Sequence, residues 1–155
     1  MGRAVVVCVG HSLVADDGVG MAVCERLERS ALPAGSRLRP LPGGGIKLLD
    51  ELEGEDLLIV VDAVKMGGLA GKIHALDWTT LPKGSASRGA QGVGLREALE
   101  VGRSVFPQRM PRQVVLVGVE GRVFEPVGTP MSPEVAAAVE PAAQRVLKML
   151  HVICR

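Results

Sequence analysis

Three stretches of the chain are apolar at nearly every position: residues 4–10 (AVVVCVG), 57–61 (LLIVV) and 114–119 (VVLVGV). They are short and rich in β-branched residues, which predicts strands covered on both faces. Between them the period lengthens. Asp16 or Asp17 opens a helix on which Val19, Val23, Cys24, Leu27 and Ala31 recur at helical spacing, with Pro33 just beyond the end. Residues 37–41 predict a short strand, Pro42 and the glycines at 43–45 a tight loop, and residues 46–52 a short helix. Residues 72–77 alternate, as a strand nearer an edge would. Residues 79–91 form a long polar loop rich in Ser and Gly. Residues 92–106 are amphipathic, with Leu95, Ala98, Leu99 and Val101 as the inner face. Ser132 is placed as an N-cap, with Pro133 at the first helical position, for a helix running to about His151.

Strands alternating with helices predict an α/β fold. The expected form is three-layered, a mostly parallel sheet of about five strands with helices on both faces, in one domain spanning residues 1–155. Ligands of such sheets bind beyond the carboxyl ends of the strands. The residues that follow each apolar run are therefore the ones to read for chemistry.

Composition narrows the classes. Lys plus Arg number 18 against 17 Asp plus Glu, a net charge of +1, so no basic stripe marks a nucleic-acid binder. Trp78, Phe106 and Phe124 are the only aromatics, too few for a base-stacking platform. Cys8, Cys24 and Cys154 form no CxxC pair; Cys8 and Cys24 sit at apolar positions, which suits a reducing cytoplasm. The apolar run near residue 1 is too short for a signal peptide, and no stretch approaches the roughly 20 apolar residues that span a bilayer. A cytoplasmic location without membrane insertion is expected.

After the first apolar run come Gly10, His11, Ser12, then Asp16 and Asp17. The pattern is neither GxGxxG nor a phosphate loop, and two carboxylates would repel a phosphate. One Asp is enough to cap a helix, where a carboxylate meets the positive end of the dipole, so the other has a second role open to it. The second run ends at Asp62, either a turn-bonding Asp or a partner for Asp17. Paired hard oxygen ligands suit a divalent cation without choosing which one. No Ser-His-Asp or Cys-His set can be assembled at the strand ends, and no HExxH occurs.

The run VVVCVGHSLVADDGVGMAVCERL resembles the amino-terminal signature of hydrogenase maturation endopeptidases. The resemblance continues in order through PGGGIKLLDEL, LLIVVDAV, GVGLREALEVGR and LVGVEGRVFEPVGTPMSPEVAAAV, over nearly the whole chain. It implies removal of a carboxy-terminal extension from the large-subunit precursor of a nickel–iron hydrogenase after nickel insertion. The nickel is then presented by the substrate rather than held permanently. Carried over by position, Asp17 and Asp62 match the two metal-contacting carboxylates and become the expected catalytic pair. The family's third ligand, a His, is matched by Gln91, whose amide oxygen suits nickel less well than imidazole. His11 stands where the family commonly has Asn, and Pro42 where an Asp often precedes the glycines. His11 is thus a candidate replacement ligand.

In the mechanism so implied, a metal between Asp17 and Asp62 places the substrate tail, and the metal or a carboxylate polarises the scissile carbonyl and activates water. Asp16 is read as the helix cap, with a general-base role as the alternative. Glu125, after the third apolar run, stands on the ligand side and is a candidate for holding the tail. The substitution at Gln91 supports an alternative, a homologue that binds nickel or the precursor as an assembly factor without cutting. A small-ligand hydrolase on a related sheet would rest on fold analogy alone.

Overall fold

A computed structural model describes residues 2–78 and 94–155. Its strands are β1 (Ala4–Gly10), β2 (Ser36–Pro42), β3 (Leu57–Val64), β4 (Ile73–Asp77) and β5 (Gln113–Glu120), joined in one sheet in the order β2-β1-β3-β5-β4. The β2–β1–β3–β5 pairs are parallel and β4 runs antiparallel to β5 at the edge. The helices are α1 (Val19–Glu28), α2 (Leu95–Val105) and α3 (Pro133–Ile153).

Every residue of β1 and β3 is buried because successive side chains enter opposite layers. Val6, Cys8, Ile59, Val61 and Val117 pack against Val19, Val23 and Leu27 of α1 and Val146 and Leu150 of α3. Val5, Val7, Leu58, Val60 and Leu116 pack against Leu95 and Leu99 of α2 and Leu48 and Leu49 of a 3-10 segment, Gly45–Glu51. Each fully buried aliphatic side chain contributes about 1.5–3 kcal/mol by leaving water. The expected three-layer architecture is the one observed.

The local departures have physical causes. β3 continues to Val64, so Asp62 lies within the strand, paired in register with Gly118, instead of following it. On α2 the buried residues are Leu95, Ala98, Leu99 and Gly102, which fall within an arc of about 100° at 3.6 residues per turn. Val101 falls outside that arc and is 42% exposed, correcting its placement on the inner face. Gly102 replaces it there: a Cβ at this position would lie 2.7 Å from Leu49 Cδ2 and 2.4 Å from Met110 Sδ. Residues 79–91, read as a loop, lie outside the described residues. Among the described residues, no helix is long and apolar enough to cross a membrane.

Candidate functional site

Gly10 ends β1 with φ +142°, and a Cβ on it would sit 2.1 Å from the carbonyl oxygen of Asp17. Only glycine permits that approach. The chain folds back over the strand end through His11 N–H to Asp17 O (3.2 Å), Val14 N–H to His11 O (3.1 Å) and Asp17 N–H to Val14 O (2.9 Å). Residues Ala15–Gly18 form a 3-10 turn, and the α-helix begins only at Val19. Gly20 brings the first turn of α1 against β1 and β3: a Cβ there would lie 2.2 Å from Val9 O and 2.9 Å from Val61 O. The two Asp residues thus stand over the carboxyl ends of the central strands.

Their side chains part company. Asp16 is buried and caps no helix; neither the 3-10 turn nor α1 has a side-chain cap. Its Oδ2 accepts from Arg122 N–H (2.8 Å), Val123 N–H (2.8 Å) and Ser132 Oγ–H (2.8 Å), and its Oδ1 from Ser132 N–H (2.7 Å). Burial alone would raise this carboxyl. The backbone amides of Val123, Arg122 and Ser132 and the Ser132 hydroxyl outweigh burial and hold it below its ordinary value. Ser132 does occupy the N-cap position of α3, but its hydroxyl bonds Asp16 instead of the helix. The capping roles expected of Asp16 and Ser132 are both replaced by this one clamp.

Asp17 turns to the other side. Its Oδ2 lies 2.7 Å from His11 Nδ1, which donates its proton to the carboxylate. Its Oδ1 is buried without a hydrogen-bond partner among the described residues. A buried acceptor without a donor costs free energy, and a cation or a ligand proton would satisfy it. Both residues line a cavity of about 390 Å³ with Val14, Phe124, Glu125, Pro126 and Val127. Val123 O accepts from Asp16 N–H (2.9 Å), Thr129 O from Ala15 N–H (3.1 Å) and Leu13 O from Gly128 N–H (2.7 Å). These bonds and the Asp16 carboxylate fix the far wall of the cavity to the turn that carries Asp17.

The sequence-derived residues are therefore gathered only in part. His11, Asp17 and Glu125 share the cavity. Asp62 is fully buried on the neighbouring strand, one residue past the Cys8–Val61 pair, with Oδ1 accepting from Ala63 N–H at 2.8 Å. Gln91 lies outside the described residues. Among the described residues, no three His, Cys, Asp or Glu side chains are grouped to hold a metal ion. With Nδ1 engaged, His11 has Nε2 left as a donor atom; a Cβ on Gly43 would lie 3.7 Å from it. The clamp of Asp16 on Arg122, Val123 and Ser132 escaped sequence reading, since its partners lie more than 100 positions away and only the doubled Asp hints at two tasks.

Comparison with known proteins agrees across sequence and structure. The family model described as hydrogenase maturation protease matches residues 21–149. The chain is 32% identical over 155 residues to the hydrogenase 2 maturation protease of Escherichia coli K12, covering 96% of this chain and 91% of that one. It is 31% identical to the hydrogenase expression/formation protein HoxM of Azotobacter vinelandii, covering 92% of this chain and 69% of that one. Among solved structures, the E. coli hydrogenase maturating endopeptidase HybD superposes with a TM-score of 0.79 at 28% identity, covering 96% and 92% of the two chains.

Proposed function

Since the chain belongs to the hydrogenase maturation protease family, and is thereby a peptide hydrolase, we propose that it removes a carboxy-terminal extension from a nickel–iron hydrogenase large-subunit precursor. In this reading the nickel already inserted in the substrate is the recognition handle. The observation that carries it is Asp17: a carboxylate at the carboxyl end of β1, held by His11 on one oxygen, with the other buried and unpaired. A cation brought by the substrate would satisfy that oxygen once the side chain turned it toward the cavity.

Each residue has a distinct task. Asp17 Oδ1 meets the substrate's metal, and Asp62, one strand over, supplies the second carboxylate. Gln91 occupies the third-ligand position, with His11 Nε2 as the candidate to make up for the missing imidazole. The nickel would place the substrate tail and polarise the scissile carbonyl. The wall from Phe124 to Val127 confines the tail beside Asp17, and a site carboxylate takes the proton of the attacking water.

The test is the intact mass of the purified large subunit after incubation of its nickel-loaded precursor with this protein. Loss of a carboxy-terminal peptide is expected with the wild type. Asp17→Asn and Asp62→Asn are expected to stop it while circular dichroism stays native. An uncut precursor that a related protease does cut would sink the proposal and leave the non-cutting assembly factor.

A further inference from the structure

The turn that carries Asp17 is held in a conformation its own sequence does not favour. Ala15 has φ +47°, and among the described residues it is the one non-glycine residue with positive φ. In the left-handed region Cβ crowds the following carbonyl, so such a residue persists only where its surroundings over-determine it. Here the surroundings are residues 122–132. Thr129 O accepts from Ala15 N–H and Val123 O from Asp16 N–H. The Asp16 carboxylate in turn takes the amides of Arg122, Val123 and Ser132 and the Ser132 hydroxyl.

The dependence runs both ways. Between β5 and α3, residues 121–132 form no helix or strand, so no regular ladder sets their position. Their bonds to Leu13, Ala15 and Asp16 refer the cavity wall to the turn. Gly121 permits the contact, since a Cβ there would lie 3.0 Å from Asp16 Cβ. Asp16 itself does not line the cavity, and four donors occupy its two oxygens. A general base must reach the proton it takes, so the general-base alternative for Asp16 gives way.

We propose that Asp16 is a positioning residue for the reaction at Asp17. Its carboxylate locks the Asp17 turn and the wall of residues 124–127 into one body. The metal-contacting carboxylate and the surface that confines the polypeptide thereby keep a fixed separation. The proposal rests on the protease reading for the identity of that polypeptide. Asp16 acts through Asp17 and the wall without touching the substrate, and a misplacement of about 1 Å at a reacting centre costs roughly 10²-fold in rate.

The experiment compares wild type, Asp16→Asn, Ser132→Ala and Leu150→Ala. Asp16→Asn keeps the side chain's size but turns an NH2 group toward amide donors. Ser132→Ala removes one donor, and because that hydroxyl caps no helix its loss reads on the clamp alone. Leu150→Ala opens the core at the far end of α3 and controls for lost stability. Each variant is assayed where circular dichroism shows it folded. The readouts are kcat and KM on the nickel-loaded precursor by intact mass, hydrogen exchange of residues 121–132, and precursor binding by surface plasmon resonance. In Asp16→Asn, kcat/KM is expected to fall about 10–100-fold, mostly in kcat, with faster exchange confined to residues 11–18 and 121–132. Ser132→Ala is expected to lose about threefold, and Leu150→Ala to stay within about twofold of wild type. Activity of Asp16→Asn within about twofold of wild type, or a fall that Leu150→Ala matches, would overturn the proposal, since Asp16 would then serve stability alone. If Asp16→Asn does not fold, Ser132→Ala decides: a loss of about threefold sustains the proposal and none overturns it. If the wild type leaves the precursor uncut, the protease reading falls by itself. Binding then decides the positioning role: about tenfold weaker binding by Asp16→Asn sustains it, and equal binding overturns it.

Discussion

Asp17 Oδ2 lies 2.7 Å from His11 Nδ1, while Oδ1 of the same carboxylate is buried and unpaired. The two oxygens are thereby made unequal. One is fixed by a donor whose own position is set by Gly10 and the folded-back turn; the other is buried without a donor among the described residues. A carboxylate with both oxygens free would rotate, and ordering it would oppose ligand binding. The relationship assigns His11 an orienting role whether or not its Nε2 also serves as a ligand.

Removing that orientation has a cost that can be read in cleavage rate. His11→Ala is expected to lower kcat/KM on the nickel-loaded precursor by roughly 10–100-fold, the range for partners that orient a metal-contacting group. His11→Asn, which keeps a side-chain N–H donor, is expected to retain most of the activity. Equal rates for His11→Ala and wild type would show that the pair is incidental.

Asp16 makes a separate prediction about stability. Asp16→Ala leaves three backbone amides and a hydroxyl without their acceptor, at a cost of roughly 3 kcal/mol or more at pH 7. The carboxyl is held below its ordinary value of 3.8 in the folded protein. Its contribution is therefore complete above the unfolded value near 4 and is lost as the pH falls through the lower folded value. Urea midpoints of wild type and Asp16→Ala should differ most at neutral pH and converge below about pH 4. A gap that widens on acidification would contradict the assignment.

The placement of Asp17 depends on Gly10, and a paired substitution separates collision from backbone strain. Gly10 (φ +142°) and Gly67 (φ +84°) both have positive φ, but only at Gly10 would a Cβ meet another atom, Asp17 O at 2.1 Å; at Gly67 nothing lies within 4 Å. Gly67→Ala should cost about 1–2 kcal/mol, the conformational penalty alone. Gly10→Ala should cost more and should also depress cleavage, because the turn carrying Asp17 must move. Comparable thermal midpoints and full activity in both variants would refute the idea that this close approach builds the site.

How much of this could be read beforehand follows from the range of the forces involved. The apolar runs of β1, β3 and β5 and the periodicity of α1 and α3 are local signals, and the layered sheet came from them directly. Val101 was misplaced because an amphipathic stretch does not disclose which glycine a neighbour needs; Gly102 owes its burial to Met110 and Leu49. The doubled Asp was legible as a site but its division of labour was not. Sequence spacing offers helix capping to both residues, whereas tertiary structure gives Asp16 three backbone amides and a hydroxyl from residues 122–132, a stronger set than one helix end supplies.

Of the positions proposed for metal recognition, Gln91 is the one whose residue type departs from the ligand set that the resemblance implies. The resemblance implies that it stands where the family has a ligand His, and amide oxygen is a poorer nickel ligand than imidazole nitrogen. If Asp17, Asp62 and residue 91 face one metal, Gln91→His restores the usual set without changing charge at neutral pH. The variant should bind Ni²⁺ at least as tightly as wild type in isothermal titration, and Asp17→Asn in the same background should abolish the gain. That second variant matters because an added surface His can bind nickel by itself, and such binding would survive loss of Asp17. A gain that depends on Asp17 would place residue 91 at the carboxylate site and mark wild-type Gln91 as a weakened ligand, with His11 Nε2 the next atom to test. A loss of affinity in Gln91→His would mean instead that the amide has a task of its own that imidazole cannot perform.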